Sequence, residues 1–365
     1  MLADSRFARR RRTLTSTFIA ERLDALLVTH LPHVRYLSNF SGSNAALLLN
    51  KDHSALISTD GRYVTQIGEE VPDIELLEAR QCDQALLKTL ENRGPLRVGF
   101  EADYLSVAGL EALSGVCPEG VELIPISGEI EKIRLIKDEV ELQRNRDVAG
   151  LANQALKSLL EEGLLAVGRT ENQVAADLEY KMRILGAECP SFETIVAAGL
   201  NSAKPHHRAG NYEIAPGDLV TIDYGAHDRG FNSDCTRTYI MGHTTDFSKE
   251  IYEIVLEAQL AGVEAATPGT PLVEVDKACR DIIEKAGYGE YFVHSTGHGI
   301  GLDVHEAPYA SKAGKGELAP GMTLTIEPGI YVPGKGGVRI EDTLIITDGA
   351  PEIITTLPKD LTIIG

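Results

Sequence analysis

Five side chains in the second half of this chain have the types and spacing to hold divalent cations: Asp223, Asp234, His298, Glu327 and Glu341. Two of them sit in an internal echo. Residues 215–225 read APGDLVTIDYG and residues 319–329 read APGMTLTIEPG, with six of eleven positions identical and one acid, Asp223 or Glu327, at the same place in each apolar strand. Taking an ion out of water is costly unless something compensates its charge. A carboxylate written twice into the same strand frame therefore points to one centre assembled from both copies.

Each acid of the echo acquires a partner if its strand returns as an antiparallel hairpin, because facing residues then have numbers with a constant sum. Asp223 and Asp234 sum to 457, which centres the first turn on Asp228 and Arg229 beside Gly230. Glu327 and Glu341 sum to 668 and centre the second on Gly334 in VPGKGG. Directly opposite residues stand with Cβ atoms about 4.5–5.5 Å apart on one face, close enough to share a cation. A bulge would turn one acid away, and Pro328 is a place for one. Four acids so crowded raise one another's pKa unless a metal intervenes. A single strand acid is more often a solvated surface group, but two hairpins sharing one frame favour the metal reading.

His298 lies in STGHGIGLDVHEAP between Gly297 and Gly299, and His305 follows seven residues later. The GHGIG run is a weak phosphate-loop lookalike, and its acidic company argues against an anion. One neutral imidazole with four carboxylates is a hard, oxygen-rich set suited to Mn²⁺, Co²⁺, Fe²⁺ or Zn²⁺ and large enough for two ions. His206 in NSAKPHHRAG and His294 in FVHS are further candidates, His294 reading equally as a structural residue. His30 and His33 fall in the first unit without comparable acids, and His207, His227 and His243 read as loop residues.

The elements that must position these groups follow from length and pattern. At 365 residues the chain is long enough for two units, each with its own core. A net charge of −19 speaks against nucleic acid and anionic membrane as partners, since both are held through clustered Lys and Arg. The five cysteines are widely spaced with no C-x-x-C pair, as in the reduced thiols of a cytoplasmic protein. Arg9 to Arg12 read as the solvated start of a helix, and no stretch reaches transmembrane length.

Short strand-like runs at 25–29, 45–50, 55–59, 96–102 and 121–127 alternate with helical segments, which predicts an α/β unit over 1–128 ending at Ser127-Gly128. Residues 129–365 then predict an α+β unit in which helix pairs alternate with hairpins twice. Its helices are expected over 138–165, capped by Asp138, from Thr170 with a capping box to Gln173, and around 248–266 and 272–286.

Taken together, Asp223, Asp234, His298 in GHGIGLDVHE, Glu327 in TIEPGIYVP and Glu341 in GVRIED resemble the five ligands of the metallopeptidase family that contains aminopeptidase P, Xaa-Pro dipeptidase (prolidase) and methionine aminopeptidase. VRYLSNFSGSNA and STDGRYV are similar to the creatinase-like N-terminal α/β domain carried by the first two. The resemblance implies a pita-bread catalytic domain with a pseudo-twofold repeat. It implies that Asp223 chelates one ion, that Asp234 and Glu341 bridge two, and that His298 and Glu327 complete the second. Manganese is the first expectation for those ions.

By the same transfer, His206 and His305 contact the scissile carbonyl, Arg339 supports the bridging acids, and Phe192 in SFETIVAAG and His294 line the substrate pocket. The implied reaction is hydrolysis of the bond before proline by a metal-bridging hydroxide, with Glu327 moving the proton, in a homodimer acting on proline-containing peptides. Whether dipeptides or longer peptides are taken stays open. Competing readings are a metal-independent creatinase-like C–N hydrolase and a non-catalytic pita-bread binding protein; members of both kinds lack ligands that are all present here.

Overall fold

In the computed structural model, which describes residues 5–365, the strand-like runs of the first unit pair into one mixed sheet. Its elements are α1 (Ser5–Glu21), β1 (Ala25–Val28), α2 (Leu31–Ser38), β2 (Ala45–Asn50), β3 (Ala55–Thr59), α3 (Val64–Glu70), β4 (Glu75–Glu78), α4 (Cys82–Lys88), β5 (Leu96–Glu101), α5 (Val107–Val116), β6 (Val121–Ile126) and α6 (Glu129–Arg134). The strand order is β4-β3-β2-β1-β5-β6. Central β1 is buried at every position, as a strand covered on both faces must be. Edge strand β4, which the pattern does not predict, exposes Glu75 and Glu78.

One expectation for this unit is corrected. Arg10 and Arg11 are buried, because the last turn of α2 leaves carbonyls that need donors. Arg11 donates to Leu37 O at 2.8 Å and pairs with Asp73, while Arg10 donates to Tyr36 O and lies over the Tyr36 ring. The compact unit runs on to Arg134, where α6 packs on α1 and Tyr36 Oη donates to Ile133 O.

The second unit, Leu135 to Gly365, opens with α7 (Glu139–Glu161) and α8 (Glu171–Ile184), each started by a capping box, from Asp138 to Glu141 and from Thr170 to Gln173. Strands β7 (Cys189–Pro190), β8 (Ile195–Ala198), β9 (Leu219–Tyr224), β10 (Ala226–Asp228), β11 (Phe231–Asn232) and β12 (Cys235–Met241) follow. Then come α9 (Asp246–Ala265), α10 (Leu272–Lys285), β13 (Gly297–Gly299), β14 (Glu306–Ala310), β15 (Thr323–Ile326), β16 (Gly329–Val332), β17 (Gly336–Arg339), β18 (Asp342–Ile345), β19 (Glu352–Ile353) and β20 (Ile363–Ile364).

Two apolar cores follow this order. Leu156 and Leu159 of α7 and Leu178 of α8 pack on Val220, Ile222 and Tyr224 of β9. Val255 of α9 and Cys279 and Ile283 of α10 pack on Leu324 and Ile326 of β15. A helix pair laid on a hairpin thus occurs twice, the repeat announced by the sequence echo. Gly217 and Gly321, the third residues of the two APG turns, both have left-handed backbones, with φ of 89° and 87°, which glycine adopts without strain.

The hairpins differ in register. In the second, Ile326 faces Asp342 and Gly329 faces Arg339, which keeps the sum of 668 and the loop centred on Gly334. In the first, Asp223 faces Thr236 and Tyr224 faces Cys235, so Asp234 is not opposite Asp223. The turn is Arg229-Gly230, one residue later than expected, with both φ positive as the twist of a two-residue hairpin requires. A slip of two preserves the face of the sheet, so Asp234 stays on the side of Asp223 one step along.

Behind the second hairpin Arg237 is enclosed. Its guanidinium donates to Glu341 O, Asp342 Oδ1 at 2.8 Å, Thr355 O and Leu357 O, and its Nε to Pro358 O. Asp342 in turn accepts from Gln259 and Lys359.

Candidate metal centre and substrate pocket

The acids of both hairpins converge. Asp223 lies near the end of β9, Asp234 immediately before β12, Glu327 between β15 and β16, and Glu341 between β17 and β18. Asp223, Asp234 and Glu341 each offer a ligand atom within 4.8 Å of the others, as do His298, Glu327 and Glu341, and Asp234, His298 and His305. His298 reaches this company because β13 crosses β15 closely: a Cβ on Gly297 would stand 1.7 Å from Thr325 O. Glu327 N donates to Thr296 O and Glu341 N to Thr236 O, so the hairpin ladder opens at the two acids themselves.

Three carboxylate oxygens in this cluster, Asp223 Oδ1, Asp234 Oδ1 and Glu341 Oε1, are buried with no hydrogen-bond partner. The second oxygens of Asp223 and Glu341 are engaged, by Arg339 Nη2 at 2.7 Å and by Thr236 Oγ1 at 2.8 Å. Burial, followed by the charge of neighbouring acids, pushes the carboxyls of Asp234 and Glu341 well above the carboxylate range. Glu327 goes the other way, to about 2, because its hydrogen bond and charge contact with His298 outweigh burial. His298 rises correspondingly. Orphaned, desolvated acid oxygens are what a hard dication satisfies, and the donor set fits divalent metal.

Hydrogen bonding also selects the imidazole tautomer. His298 Nδ1 lies 3.0 Å from Gly299 O and donates to it, which turns Nε2 toward Asp234 and Glu327, 3.6 and 3.3 Å away, where it donates to Glu327 when protonated and would offer a lone pair to a metal when neutral. Behind the acids, buried Arg339 binds Asp223, Thr236 Oγ1 and Tyr331 Oη, and reaches Pro205 O next to His206. Tyr331 Oη is 2.8 Å from His294 Nε2, and His294 Nδ1 is 2.8 Å from Ser295 O. His294 therefore has both ring nitrogens engaged, and burial holds its pKa down. Tyr331 and Thr236 were not singled out from sequence; the true register, which sets Thr236 opposite Asp223, is the signal that finds the latter.

Above the acids opens a cavity of about 500 Å³. Every sequence-named candidate except Glu341 lines it: Phe192, His206, Asp223, Asp234, His294, His298, His305, Glu327 and Arg339. Glu341 lies beneath, 1% exposed. His206 and His305 are exposed side chains of the wall, and the His305 ring meets His298 edge-on at 4.3 Å between centroids. Burial and the nearby His298 charge lower the His305 pKa, favouring a neutral ring. Ile195, Arg208 and Tyr309 also line the cavity. His207, which has no evident purpose in the sequence, bonds buried Glu171 at 2.8 Å.

Residues 143–348 match the model of metallopeptidase family M24, and residues 10–136 match that of the creatinase/prolidase N-terminal domain. The chain is 38% identical to an Xaa-Pro dipeptidase of Pyrococcus horikoshii, over 93% of this chain and 94% of that protein. Among solved structures it is similar to an Xaa-Pro dipeptidase from Bacillus anthracis, with 40% identity, a TM-score of 0.92 and coverage of 98% and 100%. An X-Pro aminopeptidase from Thermotoga maritima is similar at 33% identity and a TM-score of 0.88, covering 97% and 99%. With this fold, acid cluster and pair of matched domains, the chain belongs to metallopeptidase family M24.

Proposed function

We propose that this chain hydrolyses the peptide bond before proline in short peptides, using two divalent ions held by Asp223, Asp234, His298, Glu327 and Glu341. The convergence of three unpartnered carboxylate oxygens beneath a substrate-sized cavity carries this reading. The choice of Xaa-Pro substrates draws on the relatives, several of which are Xaa-Pro dipeptidases. Manganese is the proposed metal, with cobalt, zinc or iron able to occupy the same oxygen-rich set.

Bound there, such ions supply a water acidic enough to ionise near neutrality and a Lewis acid for the substrate carbonyl. The residues do the rest. Asp234 and Glu341 are the two acids grouped both with Asp223 and with His298, which would suit them to serve both ions. Glu327, kept ionised beside His298, accepts a proton and returns it to the leaving nitrogen. His206 and His305 donate to the oxygen that gains charge as the carbonyl is attacked. Arg339 fixes Asp223 in place and ties it to the His206 loop through Pro205 O.

A proline nitrogen carries no N–H, so a pocket for it needs no acceptor there. Phe192, Ile195 and Tyr309 offer apolar surface to the ring. The test is Asp234→Asn. Metal analysis should show fewer than two ions per chain, and cleavage of an Xaa-Pro dipeptide with added Mn²⁺ should be lost together with them. Two retained ions and full turnover would refute the assignment.

A further inference from the structure

The cavity wall contains two guanidinium groups, held in opposite ways. Arg339 is buried and committed to Asp223, Thr236 and Tyr331. Arg208 has a side chain 83% exposed, paired at 3.2 Å with Glu193, which is itself 64% exposed. Of the four histidines of the wall other than His298, His294 has both ring nitrogens engaged, by Tyr331 Oη and Ser295 O, and His207 is bonded to Glu171. Arg208 is thus the permanent positive charge left available to a ligand among the described residues of the wall.

Its backbone, by contrast, is anchored. Glu171, the first residue of α8 and wholly buried, accepts hydrogen bonds from Ala198 N at 2.9 Å, Asn201 Nδ2 at 3.0 Å, His207 Nε2 at 2.8 Å and Gly210 N at 3.0 Å. The last two flank Arg208. One carboxylate therefore pins the loop on both sides of a side chain that reaches out to exposed Glu193. A long cation on a fixed backbone loses less freedom on gripping a ligand than one on a mobile loop.

The geometry of the substrate matches that placement. In an Xaa-Pro dipeptide the free carboxylate lies one residue, about 3.5 Å, beyond the attacked carbonyl. His206, proposed to face that carbonyl, is two residues from Arg208 on the same pinned loop. The exposed pair with Glu193 is weak, so an incoming carboxylate displaces it readily and gains the two-pronged contact that guanidinium makes with carboxylate.

We propose that Arg208 captures the C-terminal carboxylate of the substrate and thereby sets a preference for free Xaa-Pro dipeptides over their amides and over longer peptides. This rests on the hydrolytic reading above. Steady-state kinetics with Mn²⁺ should compare Ala-Pro, Ala-Pro amide and Ala-Pro-Ala on the wild type, Arg208→Ala and Arg208→Lys. The wild type should favour Ala-Pro, and Arg208→Ala should raise KM for Ala-Pro roughly ten- to hundredfold, the size of a hydrogen bond to a charged group, with little change in kcat. The same variant should leave the amide unaffected, and Arg208→Lys should recover part of the loss. Equal effects on acid and amide, or a wild type that cleaves all three alike, would overturn the role of Arg208 alone. No cleavage of any of them by metal-loaded wild type would overturn the hydrolytic reading itself.

Discussion

The two hairpins of the catalytic unit start from one eleven-residue frame and use it differently. In the first, the ladder runs through the echo acid: Asp223 is an ordinary strand residue facing Thr236, Arg339 counters its charge, and the gap falls beyond it, at Gly225 and Asp234. In the second, the ladder opens at both acids, and their backbone N–H groups turn to Thr296 and Thr236. A ladder acid is aimed by its own strand, whereas an acid in a gap is aimed by whatever its backbone binds. Since Glu341 bonds Thr236 through both backbone and side chain, the gap is also where one half fastens to the other. Duplication supplied the frame; the break at Glu341 joined the copies.

If the gap acid Glu327 moves protons while the ladder acid Asp223 only holds a metal, their amide variants should separate. Glu327→Gln should lower kcat by about 10²–10⁴, the range for a lost general acid–base, and stay low at saturating Mn²⁺. Asp223→Asn should regain activity as Mn²⁺ is raised. A metal titration of kcat checks this, and rescue of Glu327→Gln instead would reverse the two roles.

A smaller effect tests the fastening. Thr236→Val keeps the side-chain shape but removes the hydroxyl between Glu341 and Arg339. Leaving buried polar partners unmatched costs about 1–3 kcal/mol, to be read as a lowered midpoint in urea unfolding of the metal-free protein. No shift would mean that the halves are held together elsewhere.

The smallest effect concerns pH. Asp234 and Glu341 have folded pKa values raised above their unfolded ones, so their burial carries no penalty below the unfolded values and the full penalty above the folded ones. The raised pKa of His298 acts in the same direction, its stabilising charge being lost as pH rises. Glu327 stabilises above its unfolded value and loses that only toward pH 2, outside the useful window. Metal-free protein should therefore melt lower at pH 8 than at pH 5, by about 2–4 °C for each kcal/mol involved. Saturating Mn²⁺ should flatten the difference in a thermal scan; a metal-free Tm that rises with pH would contradict it.

Sequence carried a large part of this arrangement because strand pairing obeys parity. The sum of 668 located Gly334 and the register on either side of Glu327 and Glu341, since that loop is symmetric about its glycine. The first hairpin was misread by two residues because a two-residue turn can sit on Asp228-Arg229 or Arg229-Gly230 with equal arithmetic, and only backbone twist decides. Even so, an even slip left Asp234 on the correct face.

What stayed hidden depended on partners far along the chain. Arg10 and Arg11 looked solvated because the carbonyls they satisfy, Tyr36 O and Leu37 O, are 26 residues away. His207 looked idle for the same reason, its acid Glu171 being 36 residues back. Periodicity reports which face is buried, and says nothing of which charge waits there.

The enclosure of Arg237 gives the end of the chain a bearing on the site. Thr355, Leu357 and Pro358 contribute carbonyls to a guanidinium that also holds the carbonyl of Glu341. Trimming the protein before Thr355 would strip that cation of half its cage, and a buried charge robbed of partners costs about 3–5 kcal/mol. Residues 355–358 thus behave as a latch on the backbone of Glu341, one of the proposed metal ligands. For anyone shortening this enzyme, or watching it being clipped in a cell, damage to the tail would register first as weakened metal retention.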